Sequence, residues 1–184
     1  MKKIKEIMKF KDSLEEANAG ESIVLTLEDE IDISRGDMLV RPNNLPKINN
    51  KLDVTLCWMN ESPLDVHTRK RLILKHTSRE INAFVERIDY VIDVNTLHRN
   101  YKDSLVLNDI ARVQVTTAQN IYFDNYANNR QTGSLILIDP LTNETLAAGM
   151  IRSETREIGD DEEKATNISL EDFKLNREDF EQQK

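Results

Sequence analysis

The chain has 184 residues, 39% of them hydrophobic and 32% charged, which is enough apolar material for a core beneath a well-solvated surface. Its formal net charge of -8 repels phosphate backbones, and no apolar run is long enough to cross a bilayer, so we expect neither a nucleic-acid nor a membrane partner. A single cysteine and an N-terminus without the apolar stretch of a signal peptide predict a cytoplasmic protein without an internal disulfide.

Apolar residues at every second position mark the predicted strands. In chain order these runs cover residues 23–27, 54–58, 72–74, 81–94, 113–115 and 135–138. Turn-forming residues separate them, at Gly20, 35–37, 42–44, 128–130 and 139–140. A strand with one buried face alternates in this way, and no long helical period precedes the tail. The pattern therefore predicts an all-β fold, either an antiparallel β-barrel or a sandwich.

Two changes in composition predict domain boundaries. Residues 42–51 hold two prolines and four asparagines without alternation, which indicates a linker between modules. After Ile151 the chain becomes acidic, and we predict a solvated, mobile tail over 152–184. Within it, Ser169 could cap a short amphipathic helix bearing Leu170, Phe173 and Phe180, with a frayed end as the alternative.

The tetrapeptide Asn50-Lys51-Leu52-Asp53 matches the Asn-Lys-x-Asp motif with which many GTPases read guanine. In a nucleotide-binding α/β domain that motif follows a buried parallel strand, whereas here it precedes a predicted strand. The chain also lacks a GxxxxGK[ST] loop that would wrap phosphates in backbone amides. We therefore interpret the match as coincidence.

Other short motifs have simple structural interpretations. Arg35-Gly36-Asp37 predicts a hairpin turn followed by a strand, because glycine tolerates positive φ and aspartate can bond the turn backbone. Glu28, Asp29, Glu30 and Asp32 lack the order of a calcium loop and predict a solvated turn after a strand. The basic triplet 69–71 predicts a solvated loop or strand end.

No arrangement of residues predicts catalysis. The histidines are His67, His76 and His98, and none stands beside a GxSxG nucleophile motif or at metal-ligand spacing. His76 ends a predicted strand, where a backbone hydrogen bond is the expected role. Cys57 lies in an alternating run beside Trp58, which indicates a buried, inert thiol. We predict no catalytic, cofactor-binding or metal-binding residue in this chain.

The strings LEDEIDISRGD, LKHTSR and NRQTGSLILID occur in this order along the chain. In that order they resemble the large subunit of sulfate adenylyltransferase, a translation-factor-like GTPase related in architecture to elongation factor Tu. The resemblance covers residues 2 to 151. It implies the C-terminal half of a domain-2 barrel over 1–41, the linker 42–51, and a complete barrel of the domain-3 type over 52–151. Ala111, Asn120 and Asn125 replace residues more usual in the family, at positions compatible with the fold.

The resemblance also implies partners and cofactors. The family's large subunit pairs with a small catalytic subunit that makes adenosine 5'-phosphosulfate and pyrophosphate from ATP and sulfate. GTP and magnesium belong to a GTPase domain without counterpart here, and ATP belongs to the partner subunit. This chain would therefore be a non-catalytic part of a nucleotidyltransferase that acts in subunit and domain docking, with contacts expected in the loop 123–133. The alternative is a translation-factor-like RNA-binding barrel.

The first 41 residues supply only part of the family's second barrel. A half barrel exposes an unpaired strand edge and an open apolar face, which invites another chain. We expect that the sequence is part of a longer polypeptide, that the gene is interrupted, or that a partner completes the barrel. Self-association through the open face is one possibility, and residues 1–41 should be less ordered than 52–151.

Overall fold

The computed structural model describes residues 3–18, 20–41 and 43–154, and these residues form twelve β-strands and one turn of 3₁₀ helix. The strands are β1 Ile4–Lys9, β2 Asp12–Leu14, β3 Val24–Leu27, β4 Lys47–Trp58, β5 Leu64–Asp65, β6 Leu72–His76, β7 Arg79–Ile92, β8 Arg99–Asn100, β9 Ser104–Leu105, β10 Ile110–Phe123, β11 Ser134–Ile138 and β12 Thr145–Glu154. The 3₁₀ turn covers Val66–Thr68.

Six long strands close into an antiparallel barrel. Their order is β10-β4-β12-β11-β6-β7, and β7 pairs again with β10 to complete the circle. Register shifts in β10 and β12 bend the strands, as closure of a barrel requires. The predicted all-β fold with an antiparallel barrel is confirmed.

Inward-facing residues of all six strands fill the barrel with aliphatic side chains and two aromatic rings. Trp58 and Phe123 are the largest fully buried side chains, and Trp58 donates its indole N–H to the carbonyl of Ser62 at 3.0 Å. Gly149 also faces inward, where an added Cβ would lie 2.7 Å from Cγ1 of Val54. The alternation read from the sequence therefore corresponds to the interior of the barrel.

A small second sheet precedes the barrel. Its order is β2-β1-β3, with both pairings antiparallel. None of the described residues between 3 and 41 is buried, although apolar Ile7, Leu25 and Leu27 are half-buried. The sheet thus keeps an incompletely covered apolar face, as the partial barrel predicts.

Three details differ from the sequence predictions. Strand β4 begins at Lys47, inside the predicted linker 42–51, because the far end of the 14-residue β10 pairs with Lys47, Ile48 and Asn49 beyond a register shift. The strand predicted after the turn at 35–37 is not seen in the described residues there, since 38–41 and 43–46 are irregular. The predicted tail 152–184 starts too early, because β12 continues to Glu154. The rest of that tail and the helix predicted after Ser169 lie outside the described residues, and the predicted division into domains stays a prediction.

Candidate interaction surfaces

Asp53, the last residue of the Asn-Lys-x-Asp match, lies within β4 and is buried. Arg112 on β10 donates to both of its carboxylate oxygens, from Nε at 2.9 Å and from Nη2 at 2.7 Å. The hydroxyl of Ser153 donates to the same carboxylate at 3.2 Å. These bonds to Asp53 raise the pKa of Arg112. The carboxylate that would have to read guanine is therefore engaged in joining three strands of the barrel.

The Arg35-Gly36-Asp37 turn sits against the barrel. Gly36 has φ +101°, and Asp37 both donates its backbone N–H to Ser34 and accepts the Ser34 N–H on its carboxylate. The predicted turn chemistry is confirmed. A Cβ on Gly36 would lie 2.8 Å from Cδ of Arg79, so this glycine also permits close contact between the N-terminal segment and the β6–β7 turn.

His76 anchors the loop 123–133 to the barrel. Its ring is 2% exposed, and Nε2 lies 2.7 Å from the carbonyl oxygen of Thr132. The hydroxyl of Thr132 in turn donates to Asp124 at 2.7 Å. Burial is the main cause of a lowered pKa for His76, which favours the neutral ring as donor to that carbonyl. The predicted strand-end position and backbone hydrogen bond are both confirmed.

A close approach of two backbones also shapes this loop. A Cβ on Gly133 would lie 2.4 Å from Cα of Tyr126, so only glycine fits here. Tyr126 donates its backbone N–H to Ile151, and Ile151 donates to Gly133, which ties the loop to β12. The loop 123–133 is therefore a fixed surface at one end of the barrel.

The remaining charged candidates lie in separate places. His67 belongs to the 3₁₀ turn, where its Nε2 is 3.6 Å from the carboxylate of Asp103, and both side chains are exposed. His98 is exposed between β7 and β8.

The basic triplet 69–71 lies just before β6, at a strand end as predicted. Arg69 lies over the ring of Phe84, and Lys70 pairs with Asp139 at 2.8 Å. The acidic residues 28–32 form the predicted exposed bend after β3.

An apolar groove on the outside of the barrel escaped the sequence analysis. It has a volume of about 600 Å³ and lies across β4, β12, β11 and β6, beside the loop 123–133. One row of directly paired residues crosses five strands at Ile110, Cys57, Ala148, Ile136 and Lys75. A second row runs through Arg112, Thr55, Met150 and Ser134. Cys57 is only half-buried on this floor, so the prediction of a buried thiol is wrong.

The outward positions on the opposite side of the barrel are mixed. Gln114 faces Arg87 and Thr116 donates its hydroxyl to Glu86 at 2.7 Å, but Thr116 is also paired with the aromatic Phe84. Solvent-facing positions of an antiparallel sheet are normally polar, so a groove lined mostly by apolar residues is unusual on this surface. The sequence does contain apolar residues at outward-facing strand positions. Alternation alone does not show which of these residues become neighbours once the strands pair.

The described residues contain neither a metal-binding cluster nor a membrane-spanning helix. Within 3–18, 20–41 and 43–154, no group of three or more His, Cys, Asp or Glu side chains could hold a metal ion. In the same part of the chain, no helix is long and apolar enough to cross a membrane.

Comparison with known proteins places this architecture in a family. A family model described as GTP-eEF1A C-terminal domain-like matches residues 51–152. The chain is 45% identical over 148 residues to sulfate adenylyltransferase subunit 1 of Bacteroides fragilis, covering 80% of this chain and 31% of the relative. It is 41% identical over 174 residues to the protein of the same name from Alteromonas mediterranea, covering 95% of this chain and 36% of the relative.

The solved structure of sup35 complexed with GDP superimposes with a TM-score of 0.68 at 10% identity, covering 84% of this chain and 38% of that one, which supports the fold alone. The predicted resemblance is confirmed by these matches, and the chain spans about a third of the length of the curated relatives. With more than half of its residues matched by the family model, the chain belongs to the GTP-eEF1A C-terminal domain-like family.

Proposed function

We propose that this chain is the non-catalytic C-terminal β-barrel portion of the GTP-regulated subunit of sulfate adenylyltransferase, acting in the cytoplasm. In that role it orients a GTPase domain and docks the small catalytic subunit, which converts ATP and sulfate to adenosine 5'-phosphosulfate and pyrophosphate. The observation that carries the proposal is the 41% identity to such a subunit over 95% of this chain, because the match includes the N-terminal sheet as well as the barrel.

The bonding of the polar candidates supports a structural role. Asp53 is held by Arg112, and His76 by the Thr132 carbonyl, so each serves to join strands or loops. A rigid barrel with such cross-links can transmit a change in nucleotide state as a movement of one body. GTP, magnesium and ATP would then act on other parts of the enzyme.

The open sheet β2-β1-β3 supplies one docking surface in this proposal. Ile4 is 41% and Phe10 92% exposed, and an uncovered apolar face of this kind favours association. The GTPase domain's polypeptide is the expected cover, and self-association is the alternative. Sedimentation at increasing concentration distinguishes them, because only self-association makes the purified chain's mass rise.

The docking role is tested by mixing the purified chain with the cognate small subunit and measuring the mass of the complex by light scattering. We expect a heterocomplex, weakened by Arg130→Glu in the loop 123–133 and unaffected by Arg41→Glu, since both arginines are exposed but only Arg130 lies in that loop. No complex at protein concentrations of about 10 μM would contradict the docking role. Retention of RNA in a low-salt filter-binding assay would instead favour the RNA-binding alternative.

A further inference from the structure

The apolar groove on the outside of the barrel lies beside the loop 123–133. Its floor exposes Met150 to 41% and contains the half-buried Cys57, which lies in one paired row with Ala148 and Ile136. Apolar area of this kind is stabilised when it is removed from water. The groove therefore has the character of a surface that is covered in an assembly.

The closed sheet limits how a partner can occupy this groove. Strands β4, β12, β11 and β6 each pair with a neighbour on both sides, so these described strands leave no free backbone edge at the groove. A bound polypeptide therefore cannot add to the barrel as a further strand, and its side chains must supply the contacts. The apolar floor favours apolar side chains from the partner.

The charges around the groove indicate a second feature of the partner. None of the described residues that line it carries a carboxylate, and Lys75 lies among them. Arg130 precedes the lining residue Gln131, and Arg152 is exposed on the same face of β12 as Met150. These three cations form a cationic border on a chain whose formal net charge is -8. The border attracts a segment that carries carboxylates beside its apolar side chains.

One cation of the border already has a partner within the chain. The ammonium of Lys75 lies 3.1 Å from the carboxylate of Glu80, and the two side chains are 39% and 55% exposed. An ion pair as exposed as this contributes little to stability and exchanges partners at little cost. Because an ammonium has three N–H donors, Lys75 can also bind a carboxylate of a docked segment.

We propose that this groove binds an apolar, acidic polypeptide segment of the small catalytic subunit. This assignment rests on the proposed function, since it names the surface with which the barrel docks that subunit. The apolar side chains of the segment lie against the floor around Met150 and Cys57, and its carboxylates face the cationic border. Tyr126 and Gln131 of the loop 123–133 line the groove, so groove and loop form one continuous surface.

The affinity of the purified chain for the cognate small subunit, measured by isothermal titration calorimetry, tests the apolar floor. We expect Met150→Asp to weaken binding about tenfold or more, because it places a charge against apolar side chains of the partner. Met59→Asp is the matched control, since Met59 is 53% exposed in a loop outside the groove, and it should bind within about twofold of the wild type. Equal affinities of the two variants would overturn the groove assignment and leave the docking role itself intact.

The cationic border is tested by Arg152→Glu at two ionic strengths. We expect binding of the small subunit to weaken about tenfold at about 50 mM salt and less than about threefold at about 500 mM, because salt screens exposed charges. Arg41→Glu is the control, since Arg41 is equally exposed but belongs to the N-terminal segment. Equal losses in the two arginine variants would overturn the acidic character assigned to the segment.

The single cysteine reports whether the groove is covered within the complex. With the small subunit at about ten times its Kd, about a tenth of the chain stays free, so alkylation of Cys57 by iodoacetamide should slow about tenfold. Mass spectrometry of the peptide that contains Cys57 measures the rate. An unchanged rate in a complex that has formed would overturn the groove assignment alone. Failure of the wild-type chain to form any complex would instead overturn the proposed function and this assignment with it.

Discussion

Asp53 and Arg112 form a bidentate ion pair between β4 and β10, with nitrogen–oxygen distances of 2.9 and 2.7 Å. The two residues are 59 positions apart in the chain, and Asp53 is buried while the Arg112 side chain is 36% exposed. Two parallel charged hydrogen bonds fix both distance and orientation, so the pair holds these neighbouring strands in register.

Replacing Asp53 by Asn should lower the free energy of unfolding by about 2 kcal/mol, because it leaves a partly buried guanidinium with a weaker acceptor. Urea unfolding measures the change. Glu80→Gln is the control, since Glu80 and its partner Lys75 are both well exposed and such a pair contributes about 0.5 kcal/mol or less. Equal losses in the two variants would show that the Asp53 pair is no more important than a surface pair.

Much of the fold was predictable from the sequence because buried apolar residues alternate with exposed residues along each strand. Val54, Leu56 and Trp58 repeat at the period that one buried face requires, and all three are fully buried. His76 was predicted as a backbone partner from its place at a strand end. The start of β4 at Lys47 was not predictable, because it depends on pairing with Tyr122 and Phe123 more than seventy residues away. The groove was missed for the same reason, since its rows exist only after distant strands pair.

Gly149→Ala should destabilise the barrel by about 1–3 kcal/mol through overpacking. The added methyl group would lie 2.7 Å from Cγ1 of Val54 and 3.0 Å from Cδ1 of Leu135, inside the filled interior. Ala148→Ser, one position away on the exposed side of β12, should change stability by less than about 0.5 kcal/mol. Thermal and urea unfolding of both variants measure the difference, and a neutral Gly149→Ala would mean that the core near Val54 can shift.

Leu97→Asn should stabilise the protein by about 0.5–1 kcal/mol. Leu97 has φ +59° in the β7–β8 hairpin and its side chain is 75% exposed, so it bears left-handed backbone strain without burying apolar surface in return. Asparagine adopts this conformation more readily. Leu141→Asn is the matched control, because Leu141 is 88% exposed and does not have positive φ. Urea unfolding should separate the two variants, and an equal gain in both would point to exposure instead of strain.

His76 should make the stability depend on pH just below neutrality. Burial lowers its pKa in the folded protein, whereas the unfolded chain takes up a proton near pH 6.5. As the pH falls through about 6.5, the unfolded state binds a proton that the folded state excludes. The free energy of unfolding should therefore be highest above that pH and decrease below it, by at most about 1.4 kcal/mol per pH unit for one proton, until the folded pKa is reached.

Urea unfolding between about pH 5 and 7 isolates this contribution from the acidic groups. The pKa of Asp139 is lowered, first by its hydrogen bond to Lys70, and that of Asp93 by the backbone of Thr96, so the stability they add is lost only as the pH falls below about 4. His76→Gln should flatten the dependence, because glutamine can still donate toward the Thr132 carbonyl but does not titrate. His98→Gln is the matched control for the loss of an exposed imidazole. A slope that survives His76→Gln would assign the titration to another group.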